Sequence, residues 1–171
     1  MAFRFTLHEL YCDGGVIGHN PSHWGGTWAY RILEDGIVIA EKSGVITPRQ
    51  AEMETVSNNL TEMLALVHGL SALPSDWTGT VLSDSQITLG RAFDYWKWNN
   101  VPDWVHQWFV RLKLGLIYWP KIKHILVQGH PTKAQLEVGI GPKGYPVSEH
   151  NKWCDEACGE QAQKWMAERA I

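Results

Sequence analysis

No stretch of this chain stays apolar for the roughly 18 residues that a membrane-spanning helix requires, so a helical membrane protein is excluded. Cysteine is scarce. Three residues, an odd number without framework spacing, exclude a disulfide scaffold and fit a reducing compartment. The opening residues, MAFRFTLHELYCDGG, lack the long apolar segment and small-residue cleavage site of a signal peptide, and a cytoplasmic location is expected. No internal repeat or low-complexity tract is found. Charged residues make up only 19% of the chain and hydrophobic ones 44%, which excludes a disordered polyelectrolyte and provides for a substantial core. At 171 residues a single domain is expected, without an obligate protein partner and monomeric.

The net charge of −3 does not announce a nucleic-acid binder, but it is unevenly spread. Residues 91–143 carry eight basic against three acidic side chains, a net +5, and the remainder nets −8. Such segregation suits a chain with one face for polyanions and another for cations, although scattered charge on solvated helices gives the same tally.

Hydrophobic periodicity predicts a first strand over Phe3–Asp13, apolar enough at its end to be central, and a second over Trp24–Leu33. Asp35-Gly36 predicts a tight hairpin into a third strand, Ile37–Val45. Leu60, Met63, Leu64, Val67 and Leu70 form a helical stripe after Asn58-Asn59. A short strand Thr80–Asp84, helices over Gln86–Trp98 and Asp103–Tyr118, and a strand Ile122–Gln128 follow. A long loop rich in glycine and proline then leads to a last helix capped by Ser148, with Cys154, Cys158, Ala162 and Trp165 on its buried face. The order β-β-β-α-β-α-α-β-α predicts an α/β fold: a mixed five-stranded sheet, three antiparallel strands then parallel ones, flanked by helices.

Four carboxylates stand out by position. Asp13 and Asp84 end strands expected to be parallel neighbours, and Glu62 and Asp155 lie early on helices. Asp13-Gly14-Gly15 taken alone reads more readily as a strand ending in a turn. Converging carboxylates repel unless a cation neutralises them, and an all-oxygen ligand set suits Mg²⁺. A competing metal reading places His150, Cys154 and Cys158 on one helical face, with His130 as a fourth zinc ligand.

Taken together the motifs resemble type 1 ribonuclease H, of the ribonuclease H-like superfamily. They are Asp13-Gly14-Gly15 with Asn20-Pro21 and Gly25-Gly26, then Asn58-Asn59-Leu60-Thr61-Glu62, Leu82-Ser83-Asp84-Ser85-Gln86, Gly129-His130 and Asn151-Lys152-Trp153-Cys154-Asp155-Glu156. The resemblance implies a ribonuclease H-like fold and an endonuclease that hydrolyses the RNA strand of RNA/DNA hybrids, leaving 5′-phosphate and 3′-hydroxyl ends. It implies that Asp13, Glu62, Asp84 and Asp155 ligate two Mg²⁺, or Mn²⁺, ions. One ion would activate water and the other would stabilise the leaving oxygen. His130 would handle a proton or assist product release. Gly14, Gly15, Asn58, Asn59, Gln86 and Asn151 would contact the hybrid, and Ser57 a DNA-strand phosphate. A junction resolvase or related nuclease on the same fold, and a catalytically silent hybrid-binding module, are the alternatives.

The sequence also departs from that family. About twenty residues separate His130 from Asn151, where the family has far fewer, and the loop at 130–148 is expected to be a flap or to displace His130, with His150 as a stand-in. The basic protrusion that grips DNA in many members is reduced to a tryptophan-rich stretch with Trp96, Trp98, Trp104 and Trp108.

Overall fold

The computed structural model describes residues 6–170. Phe3 and Phe5, expected in the first strand, lie outside the described residues. Five strands form one sheet: β1 (His8–Val16), β2 (Gly26–Glu34), β3 (Ile37–Ile46), β4 (Thr80–Ser83) and β5 (Lys123–Leu126), in the order β3-β2-β1-β4-β5. β1 to β3 are antiparallel, and β4 and β5 run parallel to β1. The helices are α1 (Pro48–Ala51), α2 (Asn58–Ser71), α3 (Gln86–Phe93), α4 (Asp103–Gly115), α5 (Lys133–Val138) and α6 (Glu149–Arg169). The mixed five-stranded sheet is thus as expected. No described helix is long and apolar enough to cross a membrane.

β1 does not stop at Asp13. Gly14 and Gly15 stay in the ladder opposite Trp28 and Thr27, so the glycine pair extends the strand instead of turning it. On its other edge β1 pairs with β4 only from Glu9 to Tyr11. Asp13 therefore lies on a strand secured along one edge, just past the end of the parallel pairing. The hairpin at Asp35-Gly36 has φ of 50° and 77°, the paired positive values of a type I′ turn.

α2 is held against β1 and β2 on one face of the sheet and roofed by α4. Its expected stripe widens accordingly: Thr61, Glu62, Ala65 and Leu66 are buried together with Leu60, Met63, Leu64, Val67 and Leu70. Its N-terminus is capped by Ser57, whose Oγ accepts the Leu60 N–H at 3.1 Å. On the opposite face α6 lays Cys154, Ala157 and Cys158 against Tyr11, Ala29 and Leu33. Ala162 and Trp165, expected on this face, are only half-buried: α6 is last tied to the sheet at Gln161, whose Nε2 donates to Ser43 Oγ of β3 at 3.0 Å, and Trp165 stacks on Trp24 at 6.5 Å.

Several boundaries move for local reasons. The helix expected over Gln86–Trp98 ends at Phe93, where the Asp94 and Trp96 N–H groups both return to the Gly90 carbonyl. α4 ends at Gly115, and a 3-10 turn at Trp119–Lys121 leads into β5. The 130–148 segment holds α5, closed by a Thr132–Gln135 capping box and by Gly139 at φ 84°. A narrow hairpin follows, bridged from Ile140 to Pro146 and tied back by the Gln128 N–H donating to the Pro146 carbonyl at 2.9 Å. α1, with its own capping box from Thr47 to Gln50, was masked in the sequence by its shortness.

The contact that sets the α2–β1 distance has no side chain on the strand. A Cβ on Gly14 would lie 2.4 Å from the Thr61 carbonyl carbon and 2.5 Å from the Glu62 nitrogen, both backbone atoms of α2. Gly14→Ala is predicted to destabilise the fold by about 1–3 kcal/mol, because the helix must move. Gly159→Ala, in α6 with open space around it, is predicted to be neutral or stabilising by up to about 1 kcal/mol. Urea unfolding of the two variants measures the contrast.

Candidate active site

Three elements bring carboxylates together. β1 carries Asp13, α2 carries Glu62 one turn in from its N-terminus, and Asp84 follows β4 directly. Each offers an oxygen, and the three oxygens lie within 4.8 Å of one another. Asp13 is 3% exposed and Glu62 5%, and Asp84 is half-buried. The three open into a cleft of about 600 Å³ that Asp155 and His130 also line.

Burial is the largest influence on Asp13 and pushes its pKa well up, and the neighbouring Asp84 charge adds to it. Glu62 is raised well above the carboxylate range by burial, then by the Asp13 and Asp84 charges. Burial raises Asp84 too, opposed by the Asn151 carboxamide and by His130. The hydrogen bonding on the protein side is sparse. The Gly14 N–H donates to Asp13 Oδ1 at 2.9 Å, while Glu62 Oε2 is buried with no hydrogen-bond partner. Crowded, desolvated carboxylate oxygens with one atom left unsatisfied fit a hard divalent cation, which takes oxygen donors and cancels the repulsion.

The fourth carboxylate stands apart from this group. Asp155, early on α6, is half-exposed at the mouth of the cleft, and its Oδ2 lies 3.4 Å from Nδ1 of His130. The His130 side chain is 81% exposed, at a residue with φ 47°. The long 130–148 segment thus leaves His130 at the cleft and does not carry it away. His150, the stand-in, is elsewhere: its Nδ1 accepts from Arg31 Nη1 at 3.2 Å and its ring packs on Tyr11. Burial, with Arg31 adding to it, lowers its pKa.

Among the expected substrate-contacting residues, Gly14, Gly15, Asn58, Asn59 and Gln86 line the cleft. Ser57 and Asn151 are not among its lining residues. Ser57 caps α2, and Asn151 is buried beside Asp84, whose charged form its carboxamide favours. The space vacated by the missing Gly14 side chain is filled by the α2 backbone. Cys154 and Cys158 do not point outward as zinc ligands would. Burial pushes both thiols up, and their Sγ atoms lie 3.8 Å from the Tyr11 carbonyl and 3.5 Å from that of Asp13, as donors.

Ser85 and Gly129, which stand in the motifs without an assigned role, and Ile87, which carried no signal, also line the cleft. Ser85 caps α3, its Oγ accepting the Thr88 N–H at 3.2 Å. Gly129 carried a legible signal, since it sits beside His130. A Cβ there would come within 2.9 Å of Asp84 Oδ2.

A family description, RNase H, matches residues 6–163. The chain is 28% identical to a ribonuclease H of Caldanaerobacter subterraneus over 94% of each chain. It is 27% identical to one of Thermoanaerobacter sp. over 96% of this chain and 95% of the other. Among solved structures, the N-terminal RNase H domain of a Mycobacterium tuberculosis protein superposes with a TM-score of 0.63 at 19% identity, covering 97% of this chain and all of that one. LC11-RNase H1, solved in complex with an RNA/DNA hybrid, gives 0.62 at 19% identity over 93% of this chain and 99% of its own. These likenesses identify the ribonuclease H-like fold.

The raised carboxyls set a pH dependence. Glu62 titrates near 4.5 when unfolded and well above that when folded, so between the two values the native state holds more protons. Stability must then fall as pH rises through that window. In chelator, the advantage of Glu62→Gln over the natural chain is predicted to grow as pH rises above about 4.5. Added Mg²⁺ is predicted to reverse the loss for the natural chain by mass action. Urea midpoints across pH, with and without the cation, measure both.

Proposed function

This chain belongs to the RNase H family, and on that premise we propose that it hydrolyses the RNA strand of RNA/DNA hybrids with divalent-cation assistance, leaving 5′-phosphate and 3′-hydroxyl ends. The observation that carries the reading is the Asp13–Glu62–Asp84 group, three carboxylates within 4.8 Å in a family member. A related fold, LC11-RNase H1, binds such a hybrid.

Asp13, Glu62 and Asp84 would hold a cation, with Asp155 able to contribute to a second at the cleft mouth. Mg²⁺, or Mn²⁺, supplies Lewis-acid activation of water and charge stabilisation at the departing 3′ oxygen. The residues do the rest. Asp155 orients the His130 ring, and the exposed imidazole can pass a proton between the cleft and solvent. Asn58 and Asn59 open α2, and Gln86 opens α3, so two helix N-termini present their partial positive charge at the cleft. That arrangement favours phosphate. Discrimination of RNA from DNA must come from the 2′-hydroxyl, the group in which the strands differ at each sugar.

Asp13→Asn is predicted to reduce Mg²⁺-dependent cleavage of a labelled hybrid to background while its thermal midpoint holds or rises, since one repelling charge is gone. A variant that still cuts would sink the assignment. His130→Ala is predicted to lower kcat by about 10²-fold with hybrid affinity retained, as removal of a proton-transfer group does. Double-stranded RNA and branched DNA, assayed in parallel, separate hybrid hydrolysis from other nucleases on this fold.

A further inference from the structure

A second concavity, an open groove of about 740 Å³, lies between the end of α3, one side of α4 and the 3-10 turn at Trp119–Lys121. It is remote from the carboxylates. Asp84 follows the C-terminal end of β4, whereas the 3-10 turn leads into the N-terminal end of β5, which runs parallel to β4. The floor is aromatic: Phe109 packs on Trp98 at 5.0 Å and edge-on to Trp119 at 5.7 Å.

The rim displays large apolar side chains to water. Tyr95 is 89% exposed, Leu114 78% and Ile117 61%. Tyr95 has φ 59°, a backbone region that is costly for a bulky residue. The conformation is enforced by its neighbour. The Trp96 N–H donates to the Gly90 carbonyl at 3.1 Å, and the Trp96 ring occupies the space where a Gly90 Cβ would come within 2.2 Å. Backbone strain is thus retained while an aromatic ring is held out into solvent.

The charge around the groove has one sign. Its ionisable lining residues include Arg91, His106 and Lys113, and no aspartate or glutamate is among them. Arg91 is 8% exposed. Its Nε and Nη2 donate to the Lys97 and Asn99 carbonyls at 3.1 and 2.9 Å, and its buried Nη1 has no hydrogen-bond partner. Lys113 Nζ lies over the Tyr95 and Trp119 rings at 5.1 and 5.7 Å, and no carboxylate pairs with it among the described residues.

We propose that this groove docks a short acidic segment of a partner protein, with aliphatic or aromatic side chains seated between Tyr95, Leu114 and Ile117 and a carboxylate neutralising Arg91 and Lys113. The apolar rim provides the area, and the uncompensated cations select the charge. A nucleic-acid strand is the poorer fit, because its phosphates gain nothing from Leu114 and Ile117. The inference does not rest on hybrid hydrolysis.

The test uses the full chain and three fluorescein-labelled probes followed by anisotropy. They are a peptide Glu-Asp-Leu-Glu-Phe-Leu-Asp-Glu, the same peptide with every acid replaced by lysine, and a single-stranded oligothymidylate. The acidic peptide is expected to bind and the basic one not. Leu114→Asp and Lys113→Glu are each expected to weaken the acidic peptide at least about tenfold, with the melting midpoint and hybrid cleavage unchanged. Leu114 is exposed, so its variant leaves the core untouched, and Lys113 is half-buried, so its melting midpoint is the check on that variant. No binding of the acidic peptide up to about 1 mM, equal binding of acidic and basic peptides, or indifference to both substitutions would overturn the proposal. Oligothymidylate binding that competes with the peptide and is weakened by Lys113→Glu would overturn it in favour of a nucleic-acid surface.

Discussion

Mutual repulsion of desolvated carboxylates is the constraint that the rest of the molecule is built to sustain. Burial pushes Asp13, Glu62 and Asp84 toward protonation, the Asp84 charge adds to it at Asp13, and the Asp13 and Asp84 charges add to it at Glu62. No protein cation comes within ion-pairing distance of them among the described residues. A flexible scaffold would relieve that stress by letting the side chains separate. Here each acid is anchored by different packing: Asp13 by its ladder with β2, Glu62 by the nearly fully buried α2, and Asp84 by the short strand before it. The cost of crowding is therefore retained until a cation removes it, which makes the same geometry a source of metal affinity.

The spacing of that site is set by backbone-to-backbone contact. Gly14 meets the α2 main chain directly, Gly69 of α2 in turn admits Leu10 of β1, and Gly26 receives the Thr61 methyl. Three glycines thus close the helix onto the sheet at several points along its length. Above them the Asn58 N–H donates to Asn20 Oδ1 at 3.0 Å, and Ser22 pairs with Val56, so the β1–β2 connection fastens the helix entry as well. The position of Glu62 follows from packing, not from adjustable side-chain rotamers.

Much of this was legible from residue order, and the failures have physical causes. The sheet could be read because its strands are apolar and its turns carry their own chemistry, as at Asp35-Gly36. The acids stood out because their element positions imply convergence. Asp13-Gly14-Gly15 misled as a turn signal: the sequence records that glycine is required there, but not that the requirement is a helix passing on one side. The 130–148 segment looked structureless because α5 is too short to show an apolar period, although Thr132, Gln135 and Gly139 encode its two ends. Trp165 was assigned to the core by periodicity, which cannot register where a straight helix leaves a sheet.

The insert between β5 and α6 begins beside one member of the cleft and returns to another. His130 and Asp155 are far apart along the chain yet 3.4 Å apart in space, and the segment joining them closes on itself through the Gln128–Pro146 pairing. Its two feet are fixed by β5 and by the start of α6, so the closure entropy of what lies between grows only slowly, by about 0.6 kcal/mol for each doubling of length. The span of this excursion is therefore a nearly free variable. Residues can be added to or removed from its outer part, away from the feet, with little effect on where the imidazole and the carboxylate meet.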